Sequence, residues 1–279
     1  MTQALGILSG RFGRVALLDM DTSLTVHAHG HCHLVFKVSG PDQLFTVEGA
    51  ALPLRADTAV AVNSWQEHSY AHATGGERTV FLALYLETDW LADADRLFSL
   101  CGRPAFFGAP GVHVGPEAEF WRDRLMEMVE AGAEDACAVE EAIVQLSWAV
   151  GRSAASREPR PARAPDFRIR RAMRTMHERI GQPYAYDTLA ASAGLSRSRF
   201  NALFRESTGV TPAVYGNALR VEASVAALGT RSTSISTVAD DLGFSAPSNF
   251  CRFFQQHTGL VPRDFRRAVA MVTNGTSRA

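Results

Sequence analysis

Apolar and polar positions alternate with a period of two through residues 14–87, in the runs "RVALLDM", "LTVHAHGHCHLVFKV", "LFTVEGAALPL", "TAVAVNS" and "RTVFLALYLE". Gly, Pro, Asp and Asn punctuate these runs, which predicts a sandwich or barrel of short strands. From residue 88 the spacing becomes helical. It is seen in "DWLADADRLFSL", in "EAEFWRDRLMEMVEAG" with Phe120, Leu125, Met128 and Val129 on one face, and in "AVEEAIVQLSWAVG" with Val139, Ile143, Leu146 and Val150 on one face. These helices are expected to pack on the barrel, with a dimer contact through the last two as the alternative. Residues 151–165, "GRSAASREPRPARAP", carry three prolines and no apolar periodicity, the marks of a linker. The chain thus divides into a β domain (1–87), a helical appendage (88–150), a linker (151–165) and a second domain (166–279), an α+β multidomain protein.

A repeat organises the second domain. "LAASAGLSRSRFNALFRESTGVTP" (189–212) and "VADDLGFSAPSNFCRFFQQHTGLVP" (238–262) align with one inserted residue. The alignment pairs Ala190 with Ala239, Gly194 with Gly243, Ser196 with Ser245, Phe200 with Phe250, Phe204 with Phe254, Thr208 with Thr258, Gly209 with Gly259 and Pro212 with Pro262. Each copy predicts a short helix, a glycine turn and a longer helix, the helix-turn-helix arrangement. Asp187, Ser196, Ser236 and Ser245 are the expected caps. Phe200, Leu203 and Phe204, and likewise Phe250, Phe253 and Phe254, should face inward. The outer faces then carry Arg197, Ser198, Asn201 and Arg205 in the first copy and Pro247, Ser248, Asn249 and Arg252 in the second. Arginine can be bidentate to guanine and asparagine to adenine, so Arg197, Asn201, Asn249 and Arg252 are the candidates for base reading.

Charge sharpens this division. Residues 1–156 hold 10 Arg plus Lys against 20 Asp plus Glu, and residues 157–279 hold 18 against 9, although the whole chain nets only −1. A basic half beside an acidic one suggests that the second half meets a polyanion. Cys32, Cys101, Cys137 and Cys251 form no C-x-x-C pair, which argues against a disulfide framework or a cysteine zinc site. No apolar stretch of membrane-spanning length occurs, and the start "MTQALGILSGRFGRV" lacks a signal-peptide pattern, so a cytoplasmic protein without a membrane partner is expected.

Residues 168–270 resemble the DNA-binding domain of AraC-type (AraC/XylS family) transcription regulators. The resemblance is carried by "RVEASVAALGTRSTSISTVADDLGFSAPSNFCRFFQQHTGLVP", with its connecting helix, Gly243, Phe244, Phe254, Gly259 and Pro262. It implies a seven-helix domain whose two recognition helices enter successive major-groove segments about 34 Å apart. It also implies promoter DNA, RNA polymerase and a second copy of the chain as partners, and a role such as activator. Pro247 departs from the pattern, because it opens a recognition helix but supplies no hydrogen-bonding side chain.

The acidic half is similar to the cupin-like sensor domain that often precedes such a DNA-binding part. In "HAHGHCH" (27–33), His27 and His29 match the cupin H-x-H, His33 falls where a carboxylate or amide is usual, and "DTAVAVNSWQEH" leads to His68. The resemblance implies that His27, His29, His33 and His68 converge, an all-imidazole set suited to divalent Zn, Ni, Cu or Fe. Period-two geometry puts His27, His29, His31 and His33 on one strand face. That face is either solvated, or the wall of a small-molecule effector pocket with Trp65 and Tyr70, or a metal site. His72 and His113 have no comparable context. The expected function is a non-enzymatic, effector-sensing DNA-binding regulator. The alternatives are a metal-dependent cupin enzyme fused to a DNA-binding module, and an effector-independent DNA-binding protein.

Overall fold

Two sheets lie face to face in the N-terminal domain of the computed structural model, which describes residues 2–72, 76–94, 107–153, 166–230 and 233–272. The larger sheet contains β1 (Gln3–Gly10), β2 (Gly13–Met20), β4 (Cys32–Ser39), β7 (Thr58–Val62), β9 (Thr79–Leu86), β10 (Gly111–His113) and β11 (Val269–Met271), in the order β10-β7-β4-β9-β2-β1-β11. The smaller contains β3 (Leu24–His27), β5 (Gln43–Val47), β6 (Ala50–Leu54) and β8 (His68–Ala71), in the order β3-β8-β5-β6. Strand parity assigns the cores. Leu17, Leu34, Phe36, Leu82 and Leu84 face a helical layer, whereas Leu18, Val35, Phe81 and Ala83 face the smaller sheet. Because both faces of the central strands are covered, "FLALYL" reads as a continuous apolar run.

The helical layer is α2 (Pro116–Ala131) and α3 (Ala136–Ser153), which pack on each other, with α2 lying on β1 and β2. Val139, Ile143, Leu146 and Val150 are all buried there, as their spacing predicts. Phe120 is not: it is 62% exposed and meets Trp121 edge-on. Five residues separate it from buried Leu125, a rotation of about 140° around a helix, so the two cannot share a face. The first predicted helix is α1 (Thr88–Ala94); its sequence continuation, Cys101 included, lies outside the described residues. The chain then returns to the large sheet as β10, which is too short to show a period. The linker beyond Ser153 also lies outside the described residues.

The C-terminal domain runs α4 (Phe167–Glu178), α5 (Tyr186–Ser192), α6 (Arg197–Thr208), α7 (Pro212–Gly229), α8 (Ile235–Asp241), α9 (Pro247–Thr258) and α10 (Pro262–Ala268). Ser196 caps α6 by accepting from the Arg199 N–H, as expected. Other caps differ. α5 starts after Ala185 with Asp187 in its first turn, Ser234 rather than Ser236 caps α8, and α9 starts after Ala246 with Pro247 at its first position, a site that needs no N–H. Phe200, Phe204, Phe250 and Phe254 are fully buried, while Phe253 is half-buried against Phe244 and His257. β11 follows α10 and pairs in parallel with β1, Ile7 opposite Val269 and Ser9 opposite Met271. The helical domain therefore completes the sheet of the other one.

Candidate functional site

The two recognition helices, α6 and α9, present every outer-face residue that their spacing predicts. Arg197, Ser198, Arg205, Pro247, Ser248 and Arg252 are exposed, and Asn201 and Asn249 are half-exposed. Several are already engaged within the chain. Arg197 pairs with Asp187 at 2.8 Å and lies over Tyr186. Asn249 Nδ2 donates to Ser245 Oγ, and its Oδ1 accepts from Arg252 Nη2, both at 2.8 Å. Ser245 thus orients a predicted base reader instead of capping the helix.

"HAHGHCH" does not form one strand. β3 ends at His27 and β4 begins at Cys32, and the intervening turn is pinned because Trp65 N–H donates to the His29 carbonyl and Ser64 Oγ to that of Gly30. The histidines nevertheless gather, because β3 and β4 belong to facing sheets. His27 is register partner to His68 on β8, with ring centroids 4.2 Å apart, and His29 lies 4.9 Å from His68 and 5.3 Å from His33. One ring nitrogen from each of His27, His29 and His68 lies within 4.8 Å of the others.

The ring orientations are fixed from behind. Nδ1 of His27 faces the Thr25 carbonyl, that of His29 the His31 carbonyl, and that of His68 the Gln66 carbonyl, at 2.8, 3.2 and 2.9 Å. A carbonyl only accepts, so each Nδ1 carries the proton and each Nε2 keeps its lone pair, the outer-shell pattern of metal-ligating histidine. His33 Nδ1 lies 3.2 Å from His29 Nε2. Nε2 of His33 and of His68 is buried with no hydrogen-bond partner among the described residues. Burial, and then the proximity of the other imidazoles, holds His29 and His33 well below the ordinary histidine range; His27 is also lowered, and His68 falls to about 3. All four are therefore neutral near pH 7, the form that binds metal. The set fits an ion: tetrahedral imidazole ligation separates nitrogens by about 3.4 Å, so closing on one asks for a shift of roughly an ångström.

His31, the extra histidine, turns elsewhere. Its Nε2 is 2.9 Å from Glu87 and 3.2 Å from Glu222 of α7, and the Arg14 guanidinium, 3.7 Å from the same Glu222 oxygen, stacks 3.8 Å above the Tyr85 ring. Arg14, Tyr85, His27, His29, Asn217, Glu222 and His257 line a cleft between the domains with about 500 Å³ of atom-free space. A second, mostly apolar cavity inside the barrel reaches His27, His33 and His68 from below and takes in Tyr70. Trp65 lines neither; it stacks on Tyr215 of α7 with centroids 4.6 Å apart. His72 bonds the Tyr70 hydroxyl, and His113 is exposed on β10. Arg14, Glu87, Glu222 and His257 carry no short motif, because strand pairing brings Arg14 beside Glu87 and domain docking adds Glu222 and His257.

Residues 189–268 match a family model described as a helix-turn-helix domain. RclR of Escherichia coli (strain K12), described as an RCS-specific HTH-type transcriptional activator, is 26% identical over 102 residues, 37% of this chain and 36% of RclR. The C-terminal domain is an AraC-type helix-turn-helix domain. The alignment spans about a third of the relative's length. Over the full fold, ToxT from Vibrio cholerae O395 superposes with a TM-score of 0.56 at 12% identity, covering 96% of this chain and 97% of ToxT. An unsaturated-fatty-acid-bound ToxT, from strain SCE256, matches equally at 0.56 with 11% identity, covering 96% and 95%. A β-rich domain followed by a helical one is thus an arrangement shared with these solved structures.

Proposed function

We propose that the chain is a sequence-specific DNA-binding transcription regulator whose N-terminal domain senses a divalent transition metal through His27, His29 and His68, with His33 as the fourth imidazole. The observation that carries the metal reading is the set of three Nδ1–H groups held by backbone carbonyls, on rings that each bring one nitrogen within 4.8 Å of the others. The AraC-type domain and its basic charge support promoter DNA as the macromolecular partner. The acids of the cleft, Glu87 and Glu222, are engaged with His31, which favours a sensor over a fused enzyme.

A second reading rests on Arg14, a buried cation whose only carboxylate partner among the described residues stands at 3.7 Å. A small acid whose carboxylate takes the place of Glu222 would suit the interdomain cleft, in keeping with the fatty acid named for ToxT.

Thermal unfolding of the full chain with Zn²⁺ or Ni²⁺ separates the readings. Metal at 100 times its Kd adds about 2.7 kcal/mol to wild type and nothing to His29→Ala or His68→Ala. If metal stabilises the variants as much as wild type, the imidazole site fails. A response to small acids that Arg14→Gln abolishes and His68→Ala spares would establish the second reading instead.

A further inference from the structure

The β7–β8 connection, Asn63–Glu67, touches both the imidazole cluster and the DNA-binding domain. On its inner side, Trp65 N–H donates to the His29 carbonyl at 2.9 Å, Ser64 Oγ donates to Gly30, and His68 follows directly. On its outer side, Trp65 stacks on Tyr215, whose hydroxyl lies 3.0 Å from His177 Nε2. Glu67 pairs with Arg205, the last outward arginine of the first recognition helix, at 3.3 Å. Trp65 holds φ at +64°, a left-handed conformation that a bulky side chain adopts only when its surroundings impose it. The closing glycine of that helix, Gly209, approaches so nearly that an added Cβ would stand 3.4 Å from the Trp65 carbonyl oxygen.

We infer that this loop is an autoinhibitory latch: Glu67 stands in for a DNA phosphate on Arg205 while Trp65 clamps the first helix-turn-helix to the acidic domain. The inference rests on the DNA-binding reading above. Three features favour it over passive packing. The ion pair joins the acidic half to a recognition helix of the basic half, so the contact uses the charge that would otherwise face DNA. The backbone strain sits at the contact itself. Two of the same five residues, Ser64 and Trp65, are hydrogen-bonded to the histidine turn, so a shift of His29 or His68 is felt at Arg205.

An exposed ion pair is weak, which sets the expected size of the effect. Glu67→Gln in the full chain should tighten binding to mixed-sequence duplex DNA by about twofold to fivefold at low salt. In an Arg205→Ala background the same substitution should do nothing. Glu48→Gln is the charge control: Glu48 neighbours the loop through Gln66, and substituting it removes the same charge without touching Arg205. Equal gains from Glu48→Gln and Glu67→Gln, or a gain that survives in Arg205→Ala, would overturn the latch, as would no gain at all. Should wild type and every variant fail to bind DNA, the DNA-binding reading falls. The latch is then decided by small-angle scattering: a larger radius of gyration for the Trp65→Ala/Glu67→Gln double variant supports it, and an unchanged one overturns it.

Discussion

Asn249 stands between two side chains that set its orientation, with Ser245 taking its amide N–H and Arg252 donating to its amide oxygen. An amide held in this way meets an adenine edge with little left to order, and Arg252 keeps further N–H donors for the neighbouring base or phosphate. Arg252→Ala therefore removes one contact and loosens another. Affinity for the preferred site should fall by about 1–3 kcal/mol, roughly tenfold or more, while affinity for random duplex falls much less. Competition titrations against both DNAs measure the ratio, and an equal loss on each would make Arg252 a phosphate contact only. Arg197 and Arg205 start from a different position, because each must leave a carboxylate, Asp187 or Glu67, before it can meet DNA.

At the level of elements, the two helix-turn-helix copies share a glycine that does not carry the same load in each. Gly194 has φ +68° and open space where a Cβ would go; Gly243 has φ +73°, and its Cβ would lie 2.3 Å from the Gly181 carbonyl oxygen. Gly194→Ala should cost about 1 kcal/mol, the left-handed backbone alone. Gly243→Ala adds a backbone clash and should cost more, on the order of 3 kcal/mol. Urea midpoints of the two variants check the order, and equal losses would contradict it. The helices, their glycine turns and their phenylalanine cores were legible because a repeat read twice reinforces a periodic signal. The true caps at Ala185, Ser234 and Ala246 were not, because several polar residues compete at each helix start and only backbone geometry selects among them. The histidine stretch was legible as chemistry and misread as geometry: alternation suggests one strand, yet the pinned turn at Gly30 splits it between two sheets.

For the molecule as a whole, the acidic and basic halves carry no sign of how closely they join. Glu222, Arg14 and His257 acquire their roles only through docking, which is a matter of tertiary contact and leaves no local pattern. Burial sets the response to acid. Burial holds His68 down to about 3 and His257 down to about 4, against an ordinary value of 6.5. Below pH 6.5 the unfolded chain takes up protons that the folded chain refuses, so stability is greatest above that pH. It declines as pH falls toward about 4 for His257 and about 3 for His68. Urea midpoints at pH 7.5 and pH 5 should show the lower value at pH 5, and a higher midpoint at pH 5 would mean that these rings are protonated in the fold.

β11 gives this joining an order in time. Its pairing partner, β1, is made near the start of the chain, whereas Val269–Met271 follows every other described element. The β1 edge receives β11 only once the C-terminal domain has emerged, and an edge without its partner strand is of the kind that other chains can extend. Val272 then closes over the core beside Phe12, its N–H donating to the Ser9 carbonyl. The boundary drawn by composition is thus not one that the large sheet respects, and a fragment that stops at the linker lacks the strand that pairs with β1.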